Sequence, residues 1–239
     1  MKSEKKILSK EVISWAFYDW ANSAFATTVI AGFFPIFLKS YWANSLSDSE
    51  STALLGLANS LSGFFILIFA PFLGALADIT FRKKYMLVFF MLIGAGSTAS
   101  FFFINEGYWM IAVMSYILAS IGFSGGNIFY DSLIIDVSND QSRNKVSAFG
   151  YAMGYLGGGI LFVVNVLMYL QPNTFGLTSQ IDAVLFSFLS VAIWWSVFTL
   201  PLIRFVKESK GEITSFSLIS TLKNTFSSCL LYTSPSPRD

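Results

Sequence analysis

The hydrophobic pattern divides this chain into six long apolar stretches separated by short polar connections. Each stretch has about the 20 residues that an α-helix needs to cross roughly 30 Å of hydrocarbon. Because backbone polar groups in lipid must be satisfied within the segment, we expect every stretch to be a helix. The predicted spans are 15–38, 53–77, 85–104, 108–130, 147–170 and 181–203. The pattern therefore predicts an all-α membrane protein embedded in the lipid bilayer.

Basic residues favour one orientation of these spans. Lysine and arginine occur in the arm at 1–14, in the second-to-third and fourth-to-fifth connections, and in the loop at 204–228, whereas the opposite connections hold only Lys39. Since cytoplasmic loops carry the excess of basic residues, both termini are expected in the cytoplasm. In a bacterium the membrane would be the plasma (inner) membrane.

Two carboxy-terminal segments stand apart from the spans. Apolar residues recur at helical spacing within 213–226, which predicts a short amphipathic helix on the inner membrane surface, with an unstructured linker as the alternative. Cys229–Asp239 reads CLLYTSPSPRD, and its back-translation resembles the mosaic-end adapter of sequencing libraries. We expect this tail to be non-native and the chain to be an amino-terminal fragment. The alternative is a genuine Pro/Ser-rich tail.

Composition argues against several classes of site. The sequence contains no histidine, so zinc and haem sites built on imidazole are excluded. The single Cys229 can form no internal disulfide, and no Gly-x4-Gly-Lys nucleotide loop occurs. We expect no metal, no cofactor, no nucleic-acid partner and no enzymatic activity.

A glycine, an acid and basic residues are regularly spaced after the second span. Gly74 would let a neighbouring helix backbone approach, and Asp78 would sit at the membrane edge, where a carboxylate can meet a helix amino terminus or a cation. Arg82 and Lys83 would hold the loop at the inner surface. The alternative is a charge cluster that only sets the topology.

This spacing resembles the second-to-third loop signature of the major facilitator superfamily. The resemblance implies a gate latch between the two halves of a transporter. Ile79 stands where the family usually has a basic residue, and Phe81 where it has glycine.

The first predicted span carries a polar face. Asp19, Asn22 and Ser23 are spaced so that they share one side of a helix. An ionisable group inside a span costs about 2.5–3.5 kcal/mol on insertion scales and usually faces a bundle interior or a watery cavity. The alternative is that Asp19 lies at the inner interface, close to water.

Two sequence runs resemble one branch of that superfamily more closely. Trp15–Phe25 reads WAFYDWANSAF, and Ser147–Gly159 reads SAFGYAMGYLGGG. Both resemble the vacuole-effluxer-like branch, known from yeast amino-acid efflux and from many bacterial members.

The fourth predicted span offers a matching face. Asn127 and Asp131 lie on it, and Tyr130 could add a hydroxyl. In major facilitators the first and fourth spans line the central cavity, so the resemblance implies that the faces of Asp19 and Asp131 meet across it. The alternative is that Asp131 and Asp136 cap the span end and pair with Arg143 or Lys145.

The fifth predicted span carries a stripe of glycines. Gly150, Gly154 and Gly158 recur at intervals of four, which predicts close helix packing. Such a stripe could also serve as a sliding surface.

Together, the resemblances imply the amino-terminal half of a 12-helix major facilitator fold. Such proteins are secondary active transporters that bind a small solute between two halves and alternate access by rocking. The resemblance suggests an amino acid or related metabolite as the solute, with the missing six-helix carboxy-terminal half as partner. The alternative function is a non-transporting scaffold or receptor with a transporter-derived fold.

Overall fold

The computed structural model describes residues 8–80 and 82–208, apart from the side chains of residues 76–80. These residues form six long helices and no strand. Each helix is long and apolar enough to cross a membrane. The helices are α1 Lys10–Trp42, α2 Asp48–Thr80, α3 Lys83–Ser100, α4 Trp109–Ser132, α5 Arg143–Leu170 and α6 Gln180–Phe205. The predicted all-α membrane fold is confirmed, and the chain is a multi-pass integral membrane protein.

Several sequence predictions lie outside the described residues. They concern most of the amino-terminal arm, the amphipathic helix within 213–226, and the tail at Cys229–Asp239. The side chain of Asp78 also belongs to this group.

Local capping explains where individual helices begin. The Ser9 hydroxyl accepts a hydrogen bond from the backbone N–H of Val12 at 3.3 Å, which satisfies a free donor in the first turn of α1. Ser179 caps α6 in the same way, accepting from the N–H of Asp182 at 3.1 Å. Gly176, with φ of +73°, turns the chain just before that cap. These caps fix the starts of α1 and α6.

α1 is not a uniform α-helix. Phe25–Phe33 and Leu38–Trp42 are π-helical, so their backbone hydrogen bonds span five residues instead of four. The N–H of Phe34, for example, donates to the carbonyl of Val29. The wider turns change which residues of α1 share a face beyond Ala24.

The helices pack in two connected groups. α1 lies against α5 and α6, α4 lies against α3 and α2, and α6 joins the groups by contacting α3. At the α3–α4 crossing, a Cβ on Gly122 would collide with the backbone of Gly94, so only glycine permits this approach. Trp195 of α6 fills the space beside Gly94. The core thus forms around the inward faces of α1, α3, α4 and α6.

α2 is the least covered helix. Within its most apolar window 11% of residues are buried, compared with 50% in α1. Large apolar side chains such as Leu57, Phe64 and Leu67 are more than half exposed. A helix that is apolar on all sides requires lipid or another protein surface around it.

Candidate functional site

A cavity of about 140 Å³ lies between α1, α4 and the first turns of α5. At about 30 Å³ per molecule, this is room for a few waters or a small polar group. It is lined by Trp15, Asp19, Asn127, Tyr130, Asp131, Ile134, Ser147 and Tyr151. The structure therefore brings together four of the candidates from the sequence: Asp19, Asn127, Tyr130 and Asp131.

The α1 wall of the cavity is built around a hydrogen-bonded acid. The hydroxyl of Ser23 donates to the Asp19 carboxylate at 3.2 Å, one helical turn away. Asn22, which is 1% exposed, donates its side-chain amide to the Oδ1 atom of Asn127 in α4. Asn22 and Ser23 therefore support the lining residues rather than line the cavity themselves. The Asn22–Asn127 contact ties α1 to α4 at the depth of the site.

The α4 wall is positioned by an aromatic stack. The Tyr130 ring stacks on Trp15 with 4.3 Å between centroids and 9° between planes. The indole Nε1 of Trp15 also donates to the Tyr130 carbonyl oxygen at 3.0 Å. The Tyr130 hydroxyl is buried and has no hydrogen-bond partner among the described residues. Neither Asp19 nor Asp131 forms an ion pair within that same part of the chain.

Glycines let α5 approach this site. A Cβ on Gly150 would lie 2.7 Å from atoms of both Trp15 and Tyr130. A Cβ on Gly154 would lie 2.8 Å from the Ser23 hydroxyl and 2.9 Å from the Asp19 carboxyl carbon. These distances leave no space for a side chain.

Farther along α5, the third glycine also meets α1. A Cβ on Gly158 would lie 2.9 Å from the Ser23 carbonyl oxygen, and the Thr27 hydroxyl donates to the Gly158 carbonyl at 3.2 Å. The structure thus places the predicted stripe along one side of α1.

Sequence reasoning missed part of the α5 wall. Ser147 and Tyr151 line the cavity, and with Gly150 and Gly154 they are spaced three, four and seven residues apart on one helix face. That spacing was available in the sequence. The cavity role of Ser147 and Tyr151 was overlooked because the glycines on the same helix face were interpreted as a packing surface.

Lys83 attaches the α2–α3 loop to the end of α4. The Lys83 ammonium forms an ion pair with Asp136 at 3.1 Å, and the two side chains are 8% and 2% exposed. It also donates to the carbonyl of Ser132 at 3.1 Å. The pair with Lys83 forms because the first residue of α3 lies beside the end of α4, whereas the prediction paired Asp136 with Arg143 or Lys145. Arg143 instead contacts Asp140 at 2.7 Å.

Lys84 attaches the same loop to α6. Its Nζ donates to the Val206 carbonyl at 2.8 Å, and its backbone N–H donates to the Glu208 carboxylate at 2.5 Å. A lysine on the last carbonyls of α6 and a carboxylate on the first N–H groups of α3 both complement the helix termini. The sequence carried no local signal for these contacts, since they join residues more than 100 positions apart.

The other motif residues are arranged differently. Arg82 is exposed. A Cβ on Gly74 would meet no described atom within 4 Å, so no close helix approach forms there among the described residues. The physical reason is the sparse covering of α2. Across the described ranges, no group of three or more His, Cys, Asp or Glu side chains could hold a metal ion.

Comparison with known proteins places the chain in a family. A family model described as "Vacuole effluxer Atg22 like" matches residues 41–140 and 135–234. The chain is 38% identical over 205 residues to "Uncharacterized MFS-type transporter YxiO" of Bacillus subtilis (strain 168), covering 85% of this chain and 48% of that protein. It is 19% identical over 238 residues to "Autophagy-related protein 22" of Eremothecium gossypii, covering 82% of this chain and 46% of that protein. The chain thus spans about half the length of these curated relatives.

Solved structures show the same fold. The proton:xylose symporter XylE, of the major facilitator superfamily (MFS), bound to 6-bromo-6-deoxy-D-glucose matches with a TM-score of 0.62 at 17% identity, over 91% of this chain and 47% of that one. An inward-open form of XylE from E. coli matches with a TM-score of 0.59 at 17% identity, over 94% of this chain and 56% of that one. The bundle therefore has the fold of half a major facilitator. With the family match over 41–234, the chain belongs to the Atg22-like vacuole effluxer family of the major facilitator superfamily.

Proposed function

We propose that this chain is the amino-terminal half of a secondary active transporter that moves a small solute by alternating access. The observation that carries the proposal is the cavity that Asp19 of α1 and Asp131 of α4 both line. In transporters of this kind the solute binds near the bilayer midplane between two repeats. This cavity lies towards the end of α4, beside Ile134 and the first turns of α5, so it would form the inner part of a solute pathway that continues to the midplane.

The uncovered surfaces support a second half as the partner. α2 is mostly exposed, and on α5 the Tyr151 and Tyr155 side chains are 67% and 81% exposed. We infer that a six-helix carboxy-terminal half packs over these faces and completes the cavity. Lipid would cover the remaining apolar surface.

The loop contacts support the proposed gate latch. Lys83 and Lys84 attach the α2–α3 loop to the ends of α4 and α6, so the exposed Arg82 is held in place for a contact with the other half. The same contacts bring basic residues from three segments to one end of the bundle. Under the positive-inside rule this end, and both termini, would face the cytoplasm.

The solute proposed from the family resemblance is an amino acid or a related metabolite. The test is counterflow of radiolabelled amino acids into proteoliposomes that contain the protein expressed from its natural gene. We expect flux above that of empty liposomes, and at least a tenfold loss in Asp19→Asn, with Asp140→Asn as a matched control outside the cavity. Flux indistinguishable from empty liposomes would favour the scaffold or receptor.

A further inference from the structure

We propose that the solute carries a positive charge, and that its ammonium group binds in the cavity between Asp19 and Asp131. This inference rests on the proposed function and adds the substrate class of the same site. It follows from the charge of the cavity, the hydrogen-bonding groups that remain free in it, and its aromatic wall.

Among the described residues, those that line the cavity include acids and no basic residue. Its eight lining residues include two carboxylates and neither lysine nor arginine. Elsewhere in the described residues, Asp48, Asp136 and Asp140 each pair with a nearby lysine or arginine. Asp19 and Asp131 do not, although a carboxylate in a bundle interior is costly unless a positive charge compensates it. The site is therefore arranged for a cation that the described residues do not supply.

The Tyr130 hydroxyl is an independent sign of a ligand. Tyr130 is 6% exposed, lines the cavity, and its hydroxyl has no hydrogen-bond partner among the described residues. A buried polar group without a partner costs free energy, so such groups are normally satisfied. An ammonium group has three N–H donors and no acceptor, which matches the two carboxylates and this hydroxyl oxygen.

The aromatic wall favours the same class of ligand. Tyr151, which is 67% exposed, lines the cavity beside Trp15 and Tyr130, whose rings stack on each other. Cations are attracted to the faces of such rings, by about 0.5–1 kcal/mol at exposed sites and more where water is excluded. An anionic solute would be repelled by the acids, and a zwitterionic solute would bring its own carboxylate with its ammonium group, so that only a net positive solute compensates the charge of the site. With about 140 Å³, the cavity accommodates the charged end of a solute, and the rest would extend towards the second half.

The test is equilibrium binding of three amino acids with six carbons each: lysine, norleucine and 2-aminoadipate. They share the α-amino and α-carboxyl groups and differ in side-chain charge. The protein, expressed from its natural gene, is held in lipid nanodiscs. We expect lysine to bind at least tenfold more tightly than norleucine, which is about 1.4 kcal/mol, and 2-aminoadipate to bind most weakly.

Isosteric variants assign that preference to the cavity. Asp19→Asn and Asp131→Asn should each reduce the preference for lysine over norleucine to less than threefold. Asp140→Asn, which removes a negative charge outside the cavity, should leave it unchanged. Tryptophan fluorescence melts check that both cavity variants remain folded.

Three results would overturn the inference: norleucine binds as tightly as lysine, the lysine preference survives in both cavity variants, or none of the probes binds. Transport is scored separately. Flux of norleucine without a preference for lysine would leave the transporter proposal intact and reject the cationic solute. Selective lysine binding without flux would support the cationic ligand and reject the transporter proposal.

Discussion

The buried ion pair at the end of the bundle allows a quantitative test of the structure. Replacing Lys83 by alanine leaves the carboxylate of Asp136, whose side chain is 2% exposed, without this lysine. Breaking a buried pair from one side typically costs about 3–5 kcal/mol, because the remaining charge stays in a poorly solvated position. The loss of the bond from Lys83 to the Ser132 carbonyl acts in the same direction.

The matched control is Lys39→Ala. Lys39 pairs with Asp48 at 2.8 Å, but the two side chains are 47% and 79% exposed. An exposed pair contributes about 0–1 kcal/mol, so the same chemical change should have little effect there. The free energy of unfolding would be measured in mixed micelles of dodecyl maltoside and SDS, with tryptophan fluorescence as the signal.

A double substitution completes the argument. Lys83→Met combined with Asp136→Leu removes both charges, and it should recover most of the stability that Lys83→Ala loses, since apolar replacements of a buried pair are often close to neutral. If Lys83→Ala were no more destabilising than Lys39→Ala, Lys83 would not be buried against Asp136, and the proposed loop anchor would be wrong.

Two further substitutions test the contacts around the cavity. Gly158→Ala should destabilise the bundle by about 1–3 kcal/mol because its methyl group collides with the backbone of Ser23 in α1. Gly159→Ala, which meets nothing within 4 Å, should be neutral or slightly stabilising in the same unfolding assay. Equal effects of the two would contradict the α1–α5 contact. Asn22→Ala should cost about 1–3 kcal/mol by leaving the Asn127 amide short of its partner; an unchanged unfolding midpoint would argue against that bond.

The sequence was most informative for features that the lipid environment restricts, namely the spanning helices and the polar residues within them. Six helices follow from hydrophobic length alone, because lipid admits no other backbone arrangement for such segments. Asp19, Asn127 and Asp131 stood out as site candidates because polar groups are costly within apolar spans. All three line one cavity.

The sequence could not predict which side chains meet across long distances. The motif indicated that Lys83 holds the loop, but nothing in its own segment indicates that the end of α4 lies beside it. Lys84 and Glu208 are 124 positions apart, and their contact depends on how α3 and α6 pack. Tyr151 was missed for another reason. A glycine-rich helix face can be a packing surface or part of a cavity wall, and helix packing alone was enough to explain the glycines around Tyr151.

The π-helical stretch of α1 affects how this helix could change in length. Its buried positions include Phe25, Thr28 and Val29, and then resume at Phe34, an interval of five residues. Deleting one residue within 30–33 would restore an α-helical interval of four and keep both parts of the buried stripe facing inward. A deletion in a regular stretch would instead swing the remainder of the helix by about 100°. Relatives whose first helix is one residue shorter could therefore share this packing, with the gap falling just before Phe34.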